Sequence, residues 1–135
     1  ELAIRQDSET PVYYVQYAHA RICSLIAGMA AEGLEVPKAA DVDMSLLSDV
    51  HEVELIKQLS ALPEEIRIAA RDYNPSRINN YVNELAARFH RFYGACRIKG
   101  VEAETAKARL MLASCVKQTI ANALTIIGVT APEKM

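Results

Sequence analysis

Apolar residues recur at helical spacing along most of the chain, and strict two-residue alternation never persists long enough to predict a strand. The first predicted helix runs from about Pro11 to Glu32. Thr10 can cap it, proline suits the first helical position, and Gly33 is a typical stop. At about 100° per residue, one stripe of this helix carries Val15, Ala18, Ile22, Leu25 and Met29.

Proline and turn-forming residues divide the next part of the chain. Residues 34 to 47 contain Pro37 and several turn formers and predict a long connector. Ser48 opens a second, short helix. Pro63, followed by two glutamates in the first turn, starts a third helix, which ends before Asn74 and Pro75.

The fourth predicted helix has the clearest apolar face and should be central to the core. It begins at Pro75 or Ser76 and stops near Ile98 to Gly100, and its apolar face carries Ile78, Tyr81, Val82, Leu85, Phe89, Phe92 and Cys96. A fifth helix spans about Ala103 to Ile127, with Leu110, Leu112, Ala113, Val116, Ile120, Leu124 and Ile127 at its apolar positions. The remaining residues are too few and too interrupted by proline for structure of their own. The pattern predicts an all-α bundle of about five helices.

Composition places these helices in one domain covering residues 1–135. The chain is 51% hydrophobic and 24% charged, which is ordinary for a globular protein. It has no apolar run long enough for a membrane span and no signal-peptide layout at its start. The three cysteines are odd in number and widely separated, which argues against a disulfide framework or a zinc site and suits a reducing cytoplasm. We expect a cytoplasmic, monomeric protein with no membrane partner.

Charge is unevenly distributed along the sequence although the net charge is only −2. Residues 1–66 contain 4 basic and 12 acidic residues, a net charge of −8. Residues 67–117 contain 10 basic and 4 acidic residues, a net charge of +6. The second half is therefore basic enough to meet phosphate, although exposed arginines are often only solvated.

Tyr14, Tyr17 and Arg21 line up at the border of the first helix's apolar stripe, at positions i, i+3 and i+7. Tyrosines in such a border usually form the rim of the core with their hydroxyls in water. Two phenol rings beside a guanidinium also match what an unstacked nucleic-acid base needs. From the helix alone, the core-rim interpretation is favoured.

Convergent reactive groups are missing from the sequence. His19, His51 and His90 lie on three different predicted helices, and Asp49, Glu52 and Glu54 around His51 point in different directions. The sequence lacks the common hydrolase, phosphate-loop, dinucleotide and zinc-protease motifs. We predict no catalytic residue, no metal site and no cofactor in this domain.

Three separated motifs carry a family resemblance over essentially the whole chain: PVYYVQYAHARI, RINNYVNELAARFHRFYGACRI and the ending ALTIIGVTAPEKM. In this order they resemble the C-terminal, DALR-type anticodon-binding domain of bacterial arginyl-tRNA synthetase. The catalytic signatures of class I aminoacyl-tRNA synthetases are missing, so the chain is expected to be a non-catalytic fragment of such an enzyme.

The resemblance implies a helical bundle of the class I synthetase type that binds the anticodon stem-loop of arginine tRNA. A catalytic domain of the same polypeptide would ligate arginine to that tRNA using ATP with magnesium. Carried over by position, the anticodon-binding residues are Tyr14, Tyr17, Arg21, Tyr93, Arg97 and Met135. Lys134 stands where arginine is frequent, which keeps the charge but loses the bidentate fork, so base reading is not assigned to it.

Two further residues and one alternative complete the prediction. Arg88 and Arg91 are predicted as possible contacts to the tRNA backbone. Every arginine anticodon has cytosine in the middle, so that base is the obvious identity element. The alternative is a helical protein-interaction module in which the border of Tyr14 and Tyr17 is the hot spot for a partner helix.

Overall fold

The computed structural model describes residues 11–135, which form five α-helices and two short 3₁₀ turns. Helix α1 spans Pro11–Ala31, α2 Val50–Ser60, α3 Leu62–Arg71, α4 Ser76–Ala95 and α5 Ala103–Ile126. These residues contain no strand, so the predicted all-helical fold class is confirmed. The predicted cap at Thr10 lies outside the described residues.

Helix α4 is the centre of the bundle and packs against all four other helices. All seven residues predicted for its apolar face are buried, with Phe89 and Phe92 among the largest fully buried side chains. Helices α1 and α5 also pack against each other and share the α4 surface. One face of α4 contacts α1, and this contact positions the candidate site.

Local signals explain most helix ends. Gly33 ends α1 with a φ of 92°, and the Leu34 amide donates to the Met29 carbonyl at 2.9 Å, which is the Schellman arrangement. Glycine is suited to this position because other residues adopt positive φ at a cost. Tyr73 occupies the equivalent position after α3 with a φ of 51° and is 94% exposed.

Two predicted boundaries differ from the structure. Helix α2 begins at Val50 with Asp49 as its cap, not at Ser48, because Asp49 and Glu52 form a reciprocal capping box. Helix α4 ends at Ala95, short of the predicted stop near Ile98 to Gly100. Cys96 is extended, and Ile98 leaves the helix direction to pack in a second core cluster with Met29 and Leu110.

A buried ion pair fastens α2 to α5. The Arg109 Nε donates to Glu52 Oε1 at 2.6 Å, and the Glu52 side chain is only 1% exposed. Arg109 also donates to the Arg97 carbonyl at 2.6 Å. This single guanidinium therefore holds α2, α5 and the segment after α4 together.

Candidate nucleic-acid interface

Helices α1 and α4 bring four of the predicted site residues together. Tyr14, Tyr17 and Arg21 come from the border of α1, and Tyr93 comes from the last turns of α4. The His90 side chain of α4 lies between them. We call these five residues the aromatic patch.

His90 is the residue of the patch with the most aromatic neighbours. Its ring centroid lies 5.4 Å from that of Tyr14 and 6.5 Å from that of Tyr17. On its own helix it lies 5.8 Å from the Phe89 ring, which belongs to the core. This half-buried imidazole thus links Tyr17 to the core, which Tyr14 also contacts directly.

Arg21 extends from α1 across to α4 and covers Tyr93. Its Cζ lies 4.8 Å from the centroid of the Tyr93 ring, which is a cation–π geometry. Its Nη1 lies 3.5 Å from His90 Nδ1, a long hydrogen-bond distance. Behind the guanidinium, Tyr93 stacks on Phe89 with ring centroids 5.9 Å apart. The guanidinium therefore lies over a platform fixed to the core.

Burial differs among the tyrosines of the patch. Tyr14 and Tyr93 are half-buried and pack against the core cluster. Tyr17 is 44% exposed. The core-rim interpretation thus describes part of Tyr14 and Tyr93, while Tyr17 and Arg21 present free surface to a ligand.

Burial also sets the charge of the patch. Desolvation, and then the nearby Arg21 guanidinium, lower the pKa of His90 below its ordinary value of 6.5. Desolvation raises the pKa of Tyr14 above 10.0, with Arg91 opposing and Glu84 adding to the rise. Near neutral pH the His90 imidazole and the Tyr14 phenol are therefore neutral, beside the Arg21 guanidinium.

Arg97 lies beyond Tyr93, in a groove between the second half of α1 and the segment after α4. The groove has a volume of about 520 Å³, and Tyr93 lines it together with Arg97, Gly28 and Gly94. Lys99 lies at its edge and pairs with Glu32. Tyr93 thus belongs both to the aromatic patch and to this groove, which we call the Arg97 groove.

Arg88 and Arg91 have different environments although both lie on α4. The Arg88 side chain is 25% exposed and donates to the carboxylate of Glu84 and the carbonyl of Glu54, each at 2.9 Å. The Arg91 side chain is 59% exposed and contacts Glu84 at 3.1 Å. The geometry favours Arg91 over Arg88 as a residue that can reach a phosphate.

The C-terminal tail is anchored to the border of α1 opposite the tyrosines. Gln16 Nε2 donates to the Thr130 carbonyl at 2.9 Å, and His19 Nδ1 lies 2.9 Å from the Pro132 carbonyl. A carbonyl can only accept, so His19 carries its proton on Nδ1. Three residues later, Met135 is 52% exposed. These contacts hold the tail against α1. None of them places Met135 in the aromatic patch.

Ion pairs largely cancel the charge segregation seen along the sequence. Eight of the ten basic residues between 67 and 117 lie within 4.0 Å of a carboxylate: Arg67, Arg71, Arg77, Arg88, Arg91, Lys99, Lys107 and Arg109. Several partners, such as Glu32, Glu52 and Glu65, come from the acidic first half. The expectation of a broadly basic second half is therefore not met in three dimensions.

Other features of the described residues supply no reactive centre. Within residues 11–135, no group of three or more His, Cys, Asp or Glu side chains could hold a metal ion. His51 pairs only with Asp49, the α2 cap, at 3.0 Å. Burial, reinforced by Asp49, raises the pKa of Cys96 to about 11, so its thiol stays protonated. Across the same residues, no helix combines the length and apolar character needed to cross a membrane.

A second, larger groove lies away from the patch. It has a volume of about 730 Å³ and is lined by Val12, Ile66, Ala69, Ala70, Tyr73, Asn74, Pro75, Ile78, Asn79, Ile126, Ile127 and Val129. Among the residues that the structure describes, none of its lining residues is charged and none belongs to the aromatic patch. Its chemistry does not suit a phosphate-bearing ligand.

His90 is a candidate site residue that the sequence does not single out. The sequence offers it only as a possible metal ligand, and within residues 11–135 no metal-binding group forms. Its position three residues before Tyr93 on one helix places both side chains on the same side of α4. That spacing was the available signal, but only the packing of α1 shows that His90 faces Arg21.

Comparison with known proteins gives a consistent family. A family model described as DALR anticodon binding domain matches residues 15–135. Arginine–tRNA ligases from Ruminiclostridium cellulolyticum and Symbiobacterium thermophilum are 47% and 50% identical over the whole chain, which covers 24% of each. The arginyl-tRNA synthetase of Thermus thermophilus superposes with a TM-score of 0.79 at 27% identity, over 96% of this chain and 22% of that one. The chain thus spans about a quarter of the length of these relatives.

Proposed function

This chain belongs to the DALR anticodon binding domain family, and we propose that it binds the anticodon stem-loop of an arginine tRNA through the aromatic patch. The observation that carries this proposal is the contact between α1 and α4, where Arg21 lies 4.8 Å above the Tyr93 ring beside the exposed face of Tyr17. Flat π-faces with an adjacent guanidinium suit a base that has left the loop's stack.

In this proposal Tyr17 and the Arg21 guanidinium, which lies over the Tyr93 ring, supply the stacking surfaces, and Arg21 is also a charged donor for a phosphate or a base edge. The middle cytosine of the arginine anticodon is the preferred occupant, since all arginine anticodons share it. Tyr14 supports the patch from the core side. Arg97, Met135 and the exposed Arg91 are proposed as outer contacts to the same loop.

The proposed parent protein is an arginine–tRNA ligase. Its ATP and magnesium would be bound by a catalytic domain elsewhere in the same polypeptide, and we assign neither to residues of this chain. This division of labour is supported by relatives that are about four times as long as the chain. We further propose that the protein acts as a cytoplasmic monomer.

Replacing Tyr17 with alanine tests the function directly. Loss of one stacking surface is expected to weaken binding of an arginine anticodon stem-loop by about 1–3 kcal/mol, or about 5- to 150-fold. Tyr73→Ala is the matched control, because Tyr73 is also an exposed tyrosine but lies outside the patch. Fluorescence titration gives the affinities, and a stem-loop with a changed middle base measures discrimination.

Two outcomes would contradict this proposal. If Tyr17→Ala kept full affinity while the melting temperature dropped sharply, Tyr17 would be a core residue only. If the wild-type chain bound arginine and altered stem-loops equally at two salt concentrations, the patch would not recognise the anticodon. The alternative of a protein-interaction module would then have to be examined.

A further inference from the structure

We infer that His90 is the positioning residue of the aromatic patch: its neutral ring holds the Arg21 guanidinium over Tyr93, and RNA binding is lost when that ring is protonated. The inference rests on the proposed function. It adds His90 to the residues needed for RNA binding and makes that binding depend on pH.

The geometry leaves His90 in contact with every functional group of α1 in the patch. Its ring lies against Tyr14 and Tyr17, and its Nδ1 lies 3.5 Å from Arg21 Nη1. Arg21 is exposed, and no other side-chain partner within residues 11–135 is seen for it besides His90 and the Tyr93 ring. A long side chain with only two contacts depends on both for its orientation.

The Arg21 contact favours one neutral tautomer of His90. A guanidinium has donors and no acceptor, so this 3.5 Å contact is favourable when His90 Nδ1 accepts and the ring proton is on Nε2. Protonation would place a second donor and a second positive charge opposite Arg21. The guanidinium would then be repelled from its place over Tyr93.

Of the surrounding charges, Arg21 bears directly on this equilibrium. From α1, His90 faces Arg21 together with the two phenols. On α4 itself, Arg91 and Glu84 lie near Tyr14 and pair with each other at 3.1 Å, so they largely offset one another. Burial and Arg21 lower the pKa of His90 below 6.5. The ring is therefore neutral at neutral pH and becomes charged only as the pH falls below 6.5.

Two substitutions separate the acceptor from the ring. His90→Asn keeps an acceptor oxygen near the position of Nδ1 but cannot titrate. His90→Phe keeps the aromatic plane but has no acceptor. At neutral pH we expect His90→Phe to bind the arginine anticodon stem-loop about five- to tenfold more weakly than wild type, and His90→Asn to bind within about twofold of it.

The pH profile is the measurement that a merely structural role would not produce. Affinity of the wild-type chain should decline as the pH is lowered from about 7.5 to about 5.5, whereas that of His90→Asn should stay flatter. Titration of the RNA itself is common to both proteins and cancels in their ratio. Thermal unfolding at each pH checks that the folded fraction is unchanged. An NMR titration of the free chain should give a His90 pKa below 6.5, and this pKa should rise in Arg21→Ala.

The outcomes distinguish this inference from the proposed function. If wild type discriminates arginine from altered stem-loops but His90→Phe binds as tightly with the same pH profile, the role of His90 is refuted and the function stands. If wild-type affinity rises at low pH, protonated His90 acts as an added cation and the inference is overturned. If wild type fails to discriminate at any pH, both proposals fall together. Should His90→Phe not fold, the comparison of wild type with His90→Asn decides the matter.

Discussion

Arg88 and Arg91 are three residues apart on α4, yet their side chains differ in exposure and in hydrogen-bond partners. Arg88 is engaged by Glu84 and by two groups of Glu54, whereas Arg91 keeps most of its side chain in solvent. Exposed ion pairs contribute little to stability and are readily exchanged for a phosphate. The environment of each side chain thus separates two residues that were equivalent in the sequence.

Neutralising these arginines separately is expected to give opposite results. Arg91→Gln should reduce the salt slope of stem-loop binding by about one and leave stability nearly unchanged. Arg88→Gln should leave the slope unchanged and lower stability by about 1–2 kcal/mol, through loss of charged hydrogen bonds to α2 and Glu84. Titrations at several salt concentrations and urea unfolding measure both quantities. An unaltered slope in Arg91→Gln would mean that this face is only solvated.

A candidate site residue could be predicted from the sequence where spacing within one helix identifies it. It could not be predicted where it depends on how two helices pack. Tyr14, Tyr17 and Arg21 followed from the border of one helix, and Tyr93 came from the family resemblance. His90 required knowing how α1 lies on α4, which no local pattern encodes. Their roles in RNA binding stay predictions.

At the scale of elements, the buried ion pair between Glu52 and Arg109 holds α2 against α5. Glu52 both caps α2 through the Asp49 amide and accepts from Arg109 at 2.6 Å. Removing one partner of a buried pair leaves the other charge uncompensated. Substitution in this buried ion pair should therefore lower stability more than substitution in the surface pairs of the same helices.

Arg109→Met is expected to destabilise the domain by about 3–5 kcal/mol. Lys107→Gln is the matched control, since Lys107 lies on the same helix in an i, i+3 surface pair with Glu104, and it should cost less than about 1 kcal/mol. Adding Glu52→Gln to Arg109→Met should recover part of the loss. Chemical denaturation followed by circular dichroism would test this. Equal losses in both single variants would show that burial does not strengthen the pair.

The Arg97 groove offers a test of an element boundary that the sequence did not predict. Because α4 ends at Ala95 and the chain turns away, Arg97 lines a groove opposite Gly28 of α1. A Cβ added at Gly28 would meet nothing within 4 Å, so a side chain can be introduced there without a clash at its Cβ. It would also stabilise the helix, since glycine is unfavourable inside helices.

Filling the groove with Gly28→Gln should weaken stem-loop binding at least about fivefold if RNA passes from Tyr93 towards Arg97. Ala27→Gln, at the neighbouring exposed position, should have no effect. Gly28→Gln should unfold at or above the wild-type temperature, and Ala27→Gln close to it or slightly below. Full affinity in Gly28→Gln would place Arg97 outside the RNA contact.

For the molecule as a whole, periodicity predicted five helices and most of the buried positions, because each helix buries an apolar stripe inside the bundle. The distribution of charge could not be predicted in the same way. A count along the chain separates an acidic half from a basic half, but helices from the two halves lie side by side and pair their charges. Among the ten basic residues between 67 and 117, only Arg97 and Lys117 have no carboxylate within 4.0 Å in the described part of the chain.

This pairing predicts a shallow salt dependence. A binding surface with many free cations releases one condensed counterion for nearly every phosphate contact, so its affinity falls steeply with salt. With Arg21, Arg91 and Arg97 as the cations nearest the proposed site, the logarithmic slope for a stem-loop should be no steeper than about −3, at about −0.7 to −0.9 per contact. Stacking on Tyr17 and on the Arg21 guanidinium over Tyr93 would then provide most of the affinity that survives at high salt, and Tyr17→Ala should lower affinity without changing the slope. A much steeper slope would mean that the surface ion pairs open on binding and that phosphate contacts, rather than the aromatic patch, dominate recognition.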